Sequence, residues 1–537
     1  MLIKLTMLLI FFAVMVAIGL YCRKTASDVN GFVLGGRSVG PWLTAFAYGT
    51  SYFSAVVFVG YAGQFGWKYG IAATWAGIGN ALLGSLLAWV VLGRRTRIMS
   101  QHLDSATMPE FFGSRFDSKA LKIVASAIIF VFLIPSLKGA ASVIIFIFLI
   151  PYTASLYNGL SRLFGMAFDI DYTVCVIVMA VLTGVYVIAG GYMATAINDF
   201  IQGIIMLFGI CAVILAVLNS QGGFLAALEG LAQVSDPAVS SAPGVFASFF
   251  GPDPVNLLGV VLLTSLGTWG LPQMVQKFYA IKSDKSIDAG TVISTLFALV
   301  VAGGCYFLGG FGRLFADRME VVNGVPVGGY DAVIPTMLSG LPDLLMAVVV
   351  ILVLSASMST LSSLVLTSSS TLTLDLIRDH LVKGMSQKKQ VLVMRCLIVV
   401  FIAISVVLAI IQYKSNVTFI AQLMGVSWGA LAGAFLAPFL YGLYWKKATR
   451  AACWTSFLFS TVVMTANIFF QASFPALLRS PINAGAFCML AGLVLVPVVS
   501  LLTPQPDAAL VEDAFSCYDR KVLVRQREAL GDGEKAG

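Results

Sequence analysis

Residues 343–371 form one apolar run, and its centre, residues 354–363, reads LSASMSTLSS. A helix needs about 20 mainly apolar residues to cross the hydrocarbon core of a bilayer, so this run is long enough to span it. Its small and hydroxyl-bearing residues recur every three or four positions, which places them on one helical face. These residues are Ala356, Ser359, Thr360, Ser363, Thr367 and Ser370. The run therefore predicts a membrane-spanning helix with a polar stripe.

This polar stripe has two interpretations. Serine and threonine hydroxyls can bond back to carbonyl groups of their own helix, which would account for one or two of these residues. A hard monovalent cation such as sodium instead needs oxygen ligands, and hydroxyls supply them without the burial of a full charge. The number of hydroxyls on a single face favours the cation site.

Two other apolar runs are interrupted by small and polar residues. The second run, 41–66, contains GTSYFS at 49–54, and the seventh, 254–278, contains SLGTWGLP at 265–272. Irregular backbone at membrane depth is tolerated only where it lines a cavity or is buried in protein. Breaks that lie five spans apart are the pattern of an inverted five-helix repeat that binds a solute where the half-helices meet. The alternative is that these glycines and serines only allow close helix packing.

The composition places the whole chain in a membrane. Hydrophobic residues make up 59% of the 537 residues, charged residues make up 11%, and the mean hydropathy is +0.94. A soluble domain carries about 25% charged residues, so this chain cannot cover a globular surface with polar groups. We predict an all-α membrane protein of about thirteen transmembrane helices. The predicted spans lie near 2–21, 41–66, 71–92, 120–163, 172–193, 195–218, 254–278, 289–312, 343–371, 391–412, 417–443, 451–471 and 481–503.

The fourth of these spans contains a tandem duplication. ALKIVASAIIFVFLIP at 120–135 is followed directly by the similar SLKGAASVIIFIFLIP at 136–151. If both copies crossed separately, every later loop would change sides and the downstream basic loops would face outward. We therefore predict a single crossing over 120–163.

Basic residues orient the chain, because cytoplasmic loops carry an excess of Lys and Arg. Most of the 33 basic residues fall in loops on one side if the N-terminus is outside, and one such loop contains Lys277, Lys282 and Lys285. This predicts a multi-pass protein of the plasma (inner) membrane with a cytoplasmic C-terminus. We expect a single transmembrane domain over 1–503 that functions as a monomer in the lipid bilayer, followed by a cytoplasmic polar tail over 504–537.

Several function classes are excluded by the same residues. The net charge of +8 resides in short loops, so it does not indicate binding to nucleic acid. The eight cysteines include no CxxC pair, and both histidines, His102 and His380, fall in basic loops. A metal centre, a haem or a catalytic pair at membrane depth would need such residues within the spans. The chain is therefore not expected to be an enzyme.

At the quoted segments the chain resembles the sodium:solute symporter family, which includes bacterial proline, pantothenate and sialic acid transporters and animal sodium–glucose transporters. Each matching piece is short, but their order and spacing are specific. The pieces are LGGRS at 34–38, MPEFF at 108–112 with Arg115 and Phe116, GGYMA at 190–194 continuing to Asp199 and Gln202, GLP at 270–272, MSTLS at 358–362, and Pro438 with GLYW at 442–445.

The resemblance implies a LeuT-like core of two inverted five-helix repeats, here over about 41–218 and 254–443. It also implies a site for sodium, the coupling ion, made of three carbonyl groups and two hydroxyl groups. The carbonyls would be those of Thr50, Phe53 and Ala356, and the hydroxyls those of Ser359 and Thr360.

Asp199 has two interpretations. It lies near the start of the sixth span, where the helix dipole would stabilise it. In some members of the family an acid at this place forms a second sodium site, here with Ser362 and Ser363, which favours two sodium ions per solute.

For the solute, we predict contacts with Tyr52, Trp269 and Gln273. Members that carry proline have aromatic residues where this chain has Thr264 and Thr268, whereas TSYFSAVVFVG at 50–60 and AVIPTM at 332–337 are closer to pantothenate-type members. No Arg or Lys is expected near either break, so helix N-termini and hydroxyls would hold a carboxylate.

The predicted function is sodium-coupled import, by alternating access, of a small organic solute of the carboxylate, vitamin or amino-acid type. The alternatives are a sodium-coupled symporter for a sugar or sialic acid and a solute-sensing or channel-like protein with the same fold.

Overall fold

The computed structural model describes residues 2–129 and 171–518, apart from residues 238, 241, 323, 328 and 415–419. Most of the tandem duplication, with its predicted single crossing, lies outside these residues. The predicted total of thirteen spans and the division into two repeats therefore stay predictions.

The described residues form helices joined by short connections. In chain order the helices are α1 Leu2–Tyr21, α2 Val29–Leu34, α3 Pro41–Tyr52, α4 Ala62–Tyr69, α5 Thr74–Gly79, α6 Arg94–His102, α7 Met108–Arg115, α8 Lys119–Ile129, α9 Tyr172–Ser220, α10 Phe224–Gln233, α11 Pro254–Gly270, α12 Pro272–Ala280, α13 Asp284–Gly309, α14 Val333–Leu338, α15 Asp343–Thr371, α16 Gln387–Lys414, α17 Ile420–Tyr444, α18 Arg450–Phe469, α19 Pro481–Leu502 and α20 508–518. Segments of π-helix cover Val56–Tyr61, Asn80–Leu87, Trp89–Gly93 and Leu372–Leu381, and two strands, β1 Val321–Val322 and β2 Val325–Pro326, pair antiparallel.

Within 2–129 and 171–518, nine helices are long and apolar enough to cross a membrane, and the bent pair α11 and α12 adds a tenth. Two continuous runs, Val56–His102 and Tyr172–Ser220, are each long enough for two crossings. Each contains a glycine with positive φ, Gly70 (φ 62°) or Gly191 (φ 53°). Gly70 lies between the predicted spans 41–66 and 71–92, and Gly191 lies just before the predicted boundary between 172–193 and 195–218.

The helix that carries the polar stripe, α15, lies in the centre of the bundle. It packs against α3, α9 and α16, and almost every residue from Met346 to Thr371 is buried. A helix that is buried all round can hold polar side chains only where neighbouring groups satisfy them. On the other side of the bundle, α17 packs against α11, α18 and α19.

The tail predicted as merely polar contains a docked helix, α20. Its apolar residues Val511, Ala514 and Phe515 lie on one helical face and are buried. The guanidinium of Arg115 lies 4.9 Å from the centre of the Phe515 ring, and the Tyr518 hydroxyl donates to the Leu443 carbonyl at 3.2 Å. The prediction missed this helix because a single amphipathic helix of this length gives a weak signal beside long apolar spans.

Candidate functional site

The first interrupted span is broken where the sequence predicted. Helix α3 ends at Tyr52, Phe53 is extended (φ −85°, ψ 114°), and helical backbone resumes at Ala55. The amide of Phe53 bonds to the Gly49 carbonyl, and the amide of Val57 bonds to the Ser54 carbonyl. The carbonyls of Thr50 and Phe53 are thereby released from the regular helical ladder, as are carbonyls at any helix end.

The released carbonyls face the polar stripe of α15. The Ser359 hydroxyl lies 3.1 Å from the Thr50 carbonyl oxygen and 3.1 Å from that of Ala356. The Thr360 hydroxyl lies 3.3 Å from the Thr50 carbonyl oxygen, 3.4 Å from that of Phe53 and 3.1 Å from that of Ala356. All five residues are buried. The structure thus brings together every residue that the sequence predicted for the first sodium site.

These five oxygens, the oxygen cluster, come from three carbonyl groups and two hydroxyl groups. The Ala356 carbonyl also belongs to the regular ladder of α15, whereas the Thr50 and Phe53 carbonyls lie at the break and face the hydroxyls. A cation would be able to replace these contacts, because each oxygen has a lone pair to turn toward it. Ligands at right angles around a hard cation with bonds of about 2.4 Å lie about 3.4 Å apart. The distances from Thr360 to the Thr50 and Phe53 carbonyls match that spacing.

The second interrupted span is also broken as predicted. Helix α11 ends at Gly270, Leu271 is extended (φ −79°, ψ 123°), and α12 leaves at an angle of 48°. Pro272 occupies the first turn of α12, where a missing amide hydrogen costs nothing. On α11, an added Cβ at Gly267 would lie 2.5 Å from the Trp428 ring, so this glycine allows α11 to approach α17 closely.

A basic residue lies beside the predicted second sodium site, contrary to expectation. Lys277 belongs to α12 and is 2% exposed, so its assignment to a cytoplasmic loop was wrong. Its ammonium lies 3.7 Å from a carboxylate oxygen of Asp199 and donates to the Ser363 hydroxyl at 3.0 Å. The expectation that no Lys lies near the breaks fails because Lys277 is close in sequence to Lys282 and Lys285, so the end of the half-helix cannot be told from the start of the basic loop. The third predicted residue, Ser362, donates to the carbonyl of Ser359 at 2.9 Å.

Among the predicted solute contacts, the side chains of Trp269 and Gln273 are described, and their surroundings differ. The Trp269 indole donates to the Leu83 carbonyl at 2.9 Å and so packs against the third span. Gln273 lines a small cavity of about 10 Å³ with Thr367 and Ser368, and Trp269 is not in its lining. The Tyr52 side chain lies outside the described residues.

One residue at the first break was missed as a site residue. The Ser54 hydroxyl is buried and has no hydrogen-bond partner among the described residues. A buried polar group without a partner is costly, so an unpaired hydroxyl at a helix break is a candidate for contact with a ligand. Its presence in the quoted GTSYFS patch was the available signal.

A vestibule of about 570 Å³ opens at one end of the bundle. It lies between α4 and the start of α11, and its lining includes Gln64, Trp67, Lys68, Asp253 and Arg313. Arg313 bonds to the Asp236 carboxylate at 2.9 Å. Burial lowers the pKa of the Arg313 guanidinium from its ordinary value, and Asp236 opposes that shift.

The opposite end of the bundle is closed by an ionic cluster. Lys122 of α8 lies 2.7 Å from Asp379, 3.2 Å from Asp375 and 3.5 Å from Glu110. Arg378 pairs with Glu110 at 2.7 Å. These residues, the Lys122 cluster, join α7 and α8 to the segment that continues α15. The vestibule and the Lys122 cluster thus lie at opposite ends of the bundle.

The comparisons with known proteins agree with this geometry. A sequence model of the sodium:solute symporter family matches residues 32–459. The chain belongs to the sodium:solute symporter family. It is therefore a multi-pass transporter that couples a solute to sodium, and it is not an enzyme. The prediction of sodium as the coupling ion is confirmed.

Two known proteins are similar to this chain, one in sequence and one in structure. The sodium/proline symporter of Staphylococcus aureus (strain JH9) is 29% identical over 535 residues, which cover 97% of this chain and 96% of the relative. A solved structure of a sodium-coupled sialic acid symporter in a substrate-bound outward-open state aligns with a TM-score of 0.69 and 15% identity, over 94% of this chain and 99% of that chain. The predicted all-α, LeuT-like fold of this symporter is confirmed.

Proposed function

We propose that this symporter imports a small organic solute of the carboxylate, vitamin or amino-acid type, with sodium bound in the oxygen cluster. The observation that carries the proposal is the convergence of the Thr50, Phe53 and Ala356 carbonyls on the Ser359 and Thr360 hydroxyls. This set is neutral, so it suits a monovalent ion, which needs no carboxylate to balance its charge.

Sodium in the oxygen cluster would couple to the solute through the first break. Two ligands come from the broken span and three from α15, so occupancy holds the two elements together. Ser54 follows Phe53 directly and is the candidate contact to the solute on the same break. The start of α12 adds the positive end of a helix dipole, which favours a carboxylate. This arrangement supports binding of the solute after, or together with, the ion.

Alternating access is supported by the contrast between the two ends of the bundle. In the proposed cycle the vestibule faces outward, and the Lys122 cluster opens to release ion and solute into the cytoplasm. The excess of basic residues on the side of the cluster supports a plasma-membrane protein with its N-terminus outside and its C-terminus inside. We assign 1–503 to one transmembrane domain that functions as a monomer.

The driving force is sufficient for accumulation. A tenfold sodium gradient supplies about 1.4 kcal/mol, and a membrane potential of 100 mV supplies about 2.3 kcal/mol per charge. One ion therefore provides roughly 3.7 kcal/mol, enough for about 500-fold accumulation of a neutral solute.

The relative that is 29% identical to this chain is named a sodium/proline symporter, which makes proline the first solute to test. Against it, the hydroxyls of Thr264 and Thr268 replace the expected aromatic residues. Thr264 donates to the Val260 carbonyl, and Thr268 donates to the Gly84 carbonyl, so the single hydrogen of each hydroxyl is already used. Pantothenate is the second solute to test.

The test is uptake into proteoliposomes with labelled proline, pantothenate, glucose and sialic acid, preceded by a thermal-shift screen with and without sodium. We expect stabilisation by one carboxylate solute only when sodium is present, and uptake that collapses when the sodium gradient is dissipated. Uptake of glucose or of sialic acid, without uptake of proline or pantothenate, would favour the alternative of a symporter for a sugar or sialic acid. Solute binding that is independent of sodium, without uptake, would indicate a sensor.

A further inference from the structure

The buried ion pair between Asp199 and Lys277 lies inside the bundle. Asp199 is fully buried on α9, and Lys277 is 2% exposed on α12. Neither carboxylate oxygen of Asp199 has a hydrogen-bond partner among the described residues. The charge of Lys277, 3.7 Å from one of these oxygens, is the compensation that the structure provides. The Tyr192 ring lies on another side of this ammonium, at 5.1 Å.

A chain of hydroxyls runs from Lys277 toward the oxygen cluster and ends beside it. The ammonium donates to Ser363 at 3.0 Å, the Ser363 hydroxyl lies 2.9 Å from that of Ser51, and Ser51 donates to the Ala47 carbonyl. Each hydroxyl donates once, so the direction of the chain is consistent. Ser51 is adjacent to Thr50, whose carbonyl belongs to the oxygen cluster, and Ser363 lies one helical turn beyond Ser359.

An unpaired carboxylate at membrane depth is costly, so Asp199 needs a cation. A free ion could provide it only if Lys277 were absent or turned away. With Lys277 in place, a sodium ion bound to Asp199 and Ser363 would lie against the ammonium, which already uses both of these residues. Two unit charges about 4 Å apart repel by several kcal/mol at the effective dielectric of a protein interior.

We propose that the ammonium of Lys277 takes the place of a second sodium ion, so that this symporter binds one sodium per cycle. The proposal rests on the proposed sodium site in the oxygen cluster and replaces the expectation of two ions. Lys277 moves with the protein, whereas a bound sodium ion leaves it. The second broken span therefore carries a positive charge into contact with α9 and α15.

The test measures bound sodium directly, with radioactive sodium as the only probe and purified protein in detergent. We expect one sodium per wild-type chain. Lys277→Met removes the charge with little change in volume, and it leaves Asp199 and Ser363 open to an ion. We expect this variant to bind two sodium ions, with a Hill coefficient that rises from about one toward two, and the additional ion to disappear in Lys277→Met combined with Asp199→Asn.

The control is Lys282→Met, because this exposed lysine follows α12 closely and its side chain has no role in the pair. It should bind one sodium, as should Lys277→Arg, which keeps the charge. Two sodium ions on the wild-type chain would overturn the proposal, even if no variant folded. One sodium on a folded Lys277→Met variant would overturn it as well.

These outcomes differ from a failure of the proposed function. If the wild-type chain bound no sodium, or if Ser359→Ala with Thr360→Ala left sodium binding unchanged, the oxygen cluster would not be the sodium site. Two bound sodium ions on the wild-type chain would leave that site intact and reject only the role of Lys277.

Discussion

The hydroxyl of Ser359 lies 3.1 Å from the carbonyl oxygen of Thr50, although 309 residues separate them in the chain. The contact exists because α3 ends at Tyr52 and presents its released carbonyls to the stripe on α15. A bound ion in the oxygen cluster would replace several weak contacts by one shared centre. The broken span and α15 would then move as a unit, which is the requirement for sodium to control access to the solute.

Removal of the two hydroxyls of the oxygen cluster should weaken sodium binding. A polar contact to a charged group contributes about 1.5–3 kcal/mol, so Ser359→Ala and Thr360→Ala should each lower sodium affinity by about tenfold or more. The measurement is sodium-dependent thermal stabilisation of each purified variant. The control is Ser369→Ala, whose buried hydroxyl bonds to the Leu366 carbonyl of its own helix at 3.0 Å. Wild-type sodium affinity in the double variant would contradict the assignment.

Ser54→Ala should act on the solute and not on the ion. Its hydroxyl has no partner among the described residues, so its loss should not destabilise the fold. We expect solute affinity to fall by about fivefold to tenfold, while sodium binding without solute is unchanged. Equal loss of both affinities would show instead that Ser54 supports the geometry of the break.

Lys122→Met should weaken the closed end of the bundle. Removal of one partner from a buried ion pair costs about 3–5 kcal/mol, and Asp375 is fully buried beside Lys122. We expect a lower unfolding temperature and faster thiol labelling of a cysteine placed at Thr107, which bonds to Asp375 at 2.8 Å. The exposed Lys119→Met, on the same helix, should change neither quantity. Unchanged labelling in Lys122→Met would separate the Lys122 cluster from access.

Gly191→Ala should destabilise the protein, because Gly191 has a φ of 53° and an added Cβ would lie 2.7 Å from the Phe32 carbonyl oxygen. Strain of this kind costs about 1–3 kcal/mol. We expect a lower unfolding temperature in detergent, with little change at Gly40→Ala, where an added Cβ meets no atom within 4 Å. An equal effect of both substitutions would show that neither the positive φ of Gly191 nor its contact with Phe32 decides the result.

The two breaks and the polar stripe were predictable because both depend on local composition at membrane depth, whereas the five residues of the oxygen cluster were implied by the resemblance to the family. Glycine and hydroxyl residues inside an apolar run are visible without any knowledge of the fold, and the resemblance to the family paired Thr50 with Ser359. The position of Lys277 was missed because local composition does not reveal it. It lies close to Lys282 and Lys285 in the chain, and only the three-dimensional path of α12 separates it from that loop.

The solute contacts were the least predictable part of the site. Trp269 stands beside the break in sequence, but its side chain turns toward Leu83, a direction that depends on the packing of α11 against the third span. Sequence indicates which residues lie at a break but not which side of the helix each one occupies. The docking of α20 depends in the same way on contacts with Arg115 and Leu443 from distant parts of the chain.

The docked helix α20 has a practical consequence for experiments. Arg95 lies over the rings of both Tyr444 and Tyr518, at 4.1 and 4.5 Å, and its guanidinium donates to the Leu443 carbonyl at 3.1 Å. A reporter or purification tag fused shortly after Tyr518 would therefore disturb the contacts of α20 with the end of α17 and with α6. Transport rates from such fusions should be compared with those from protein tagged elsewhere or freed of its tag by a protease. The comparison is needed because a disturbed α20 would change the contacts that hold α6 and α17 together.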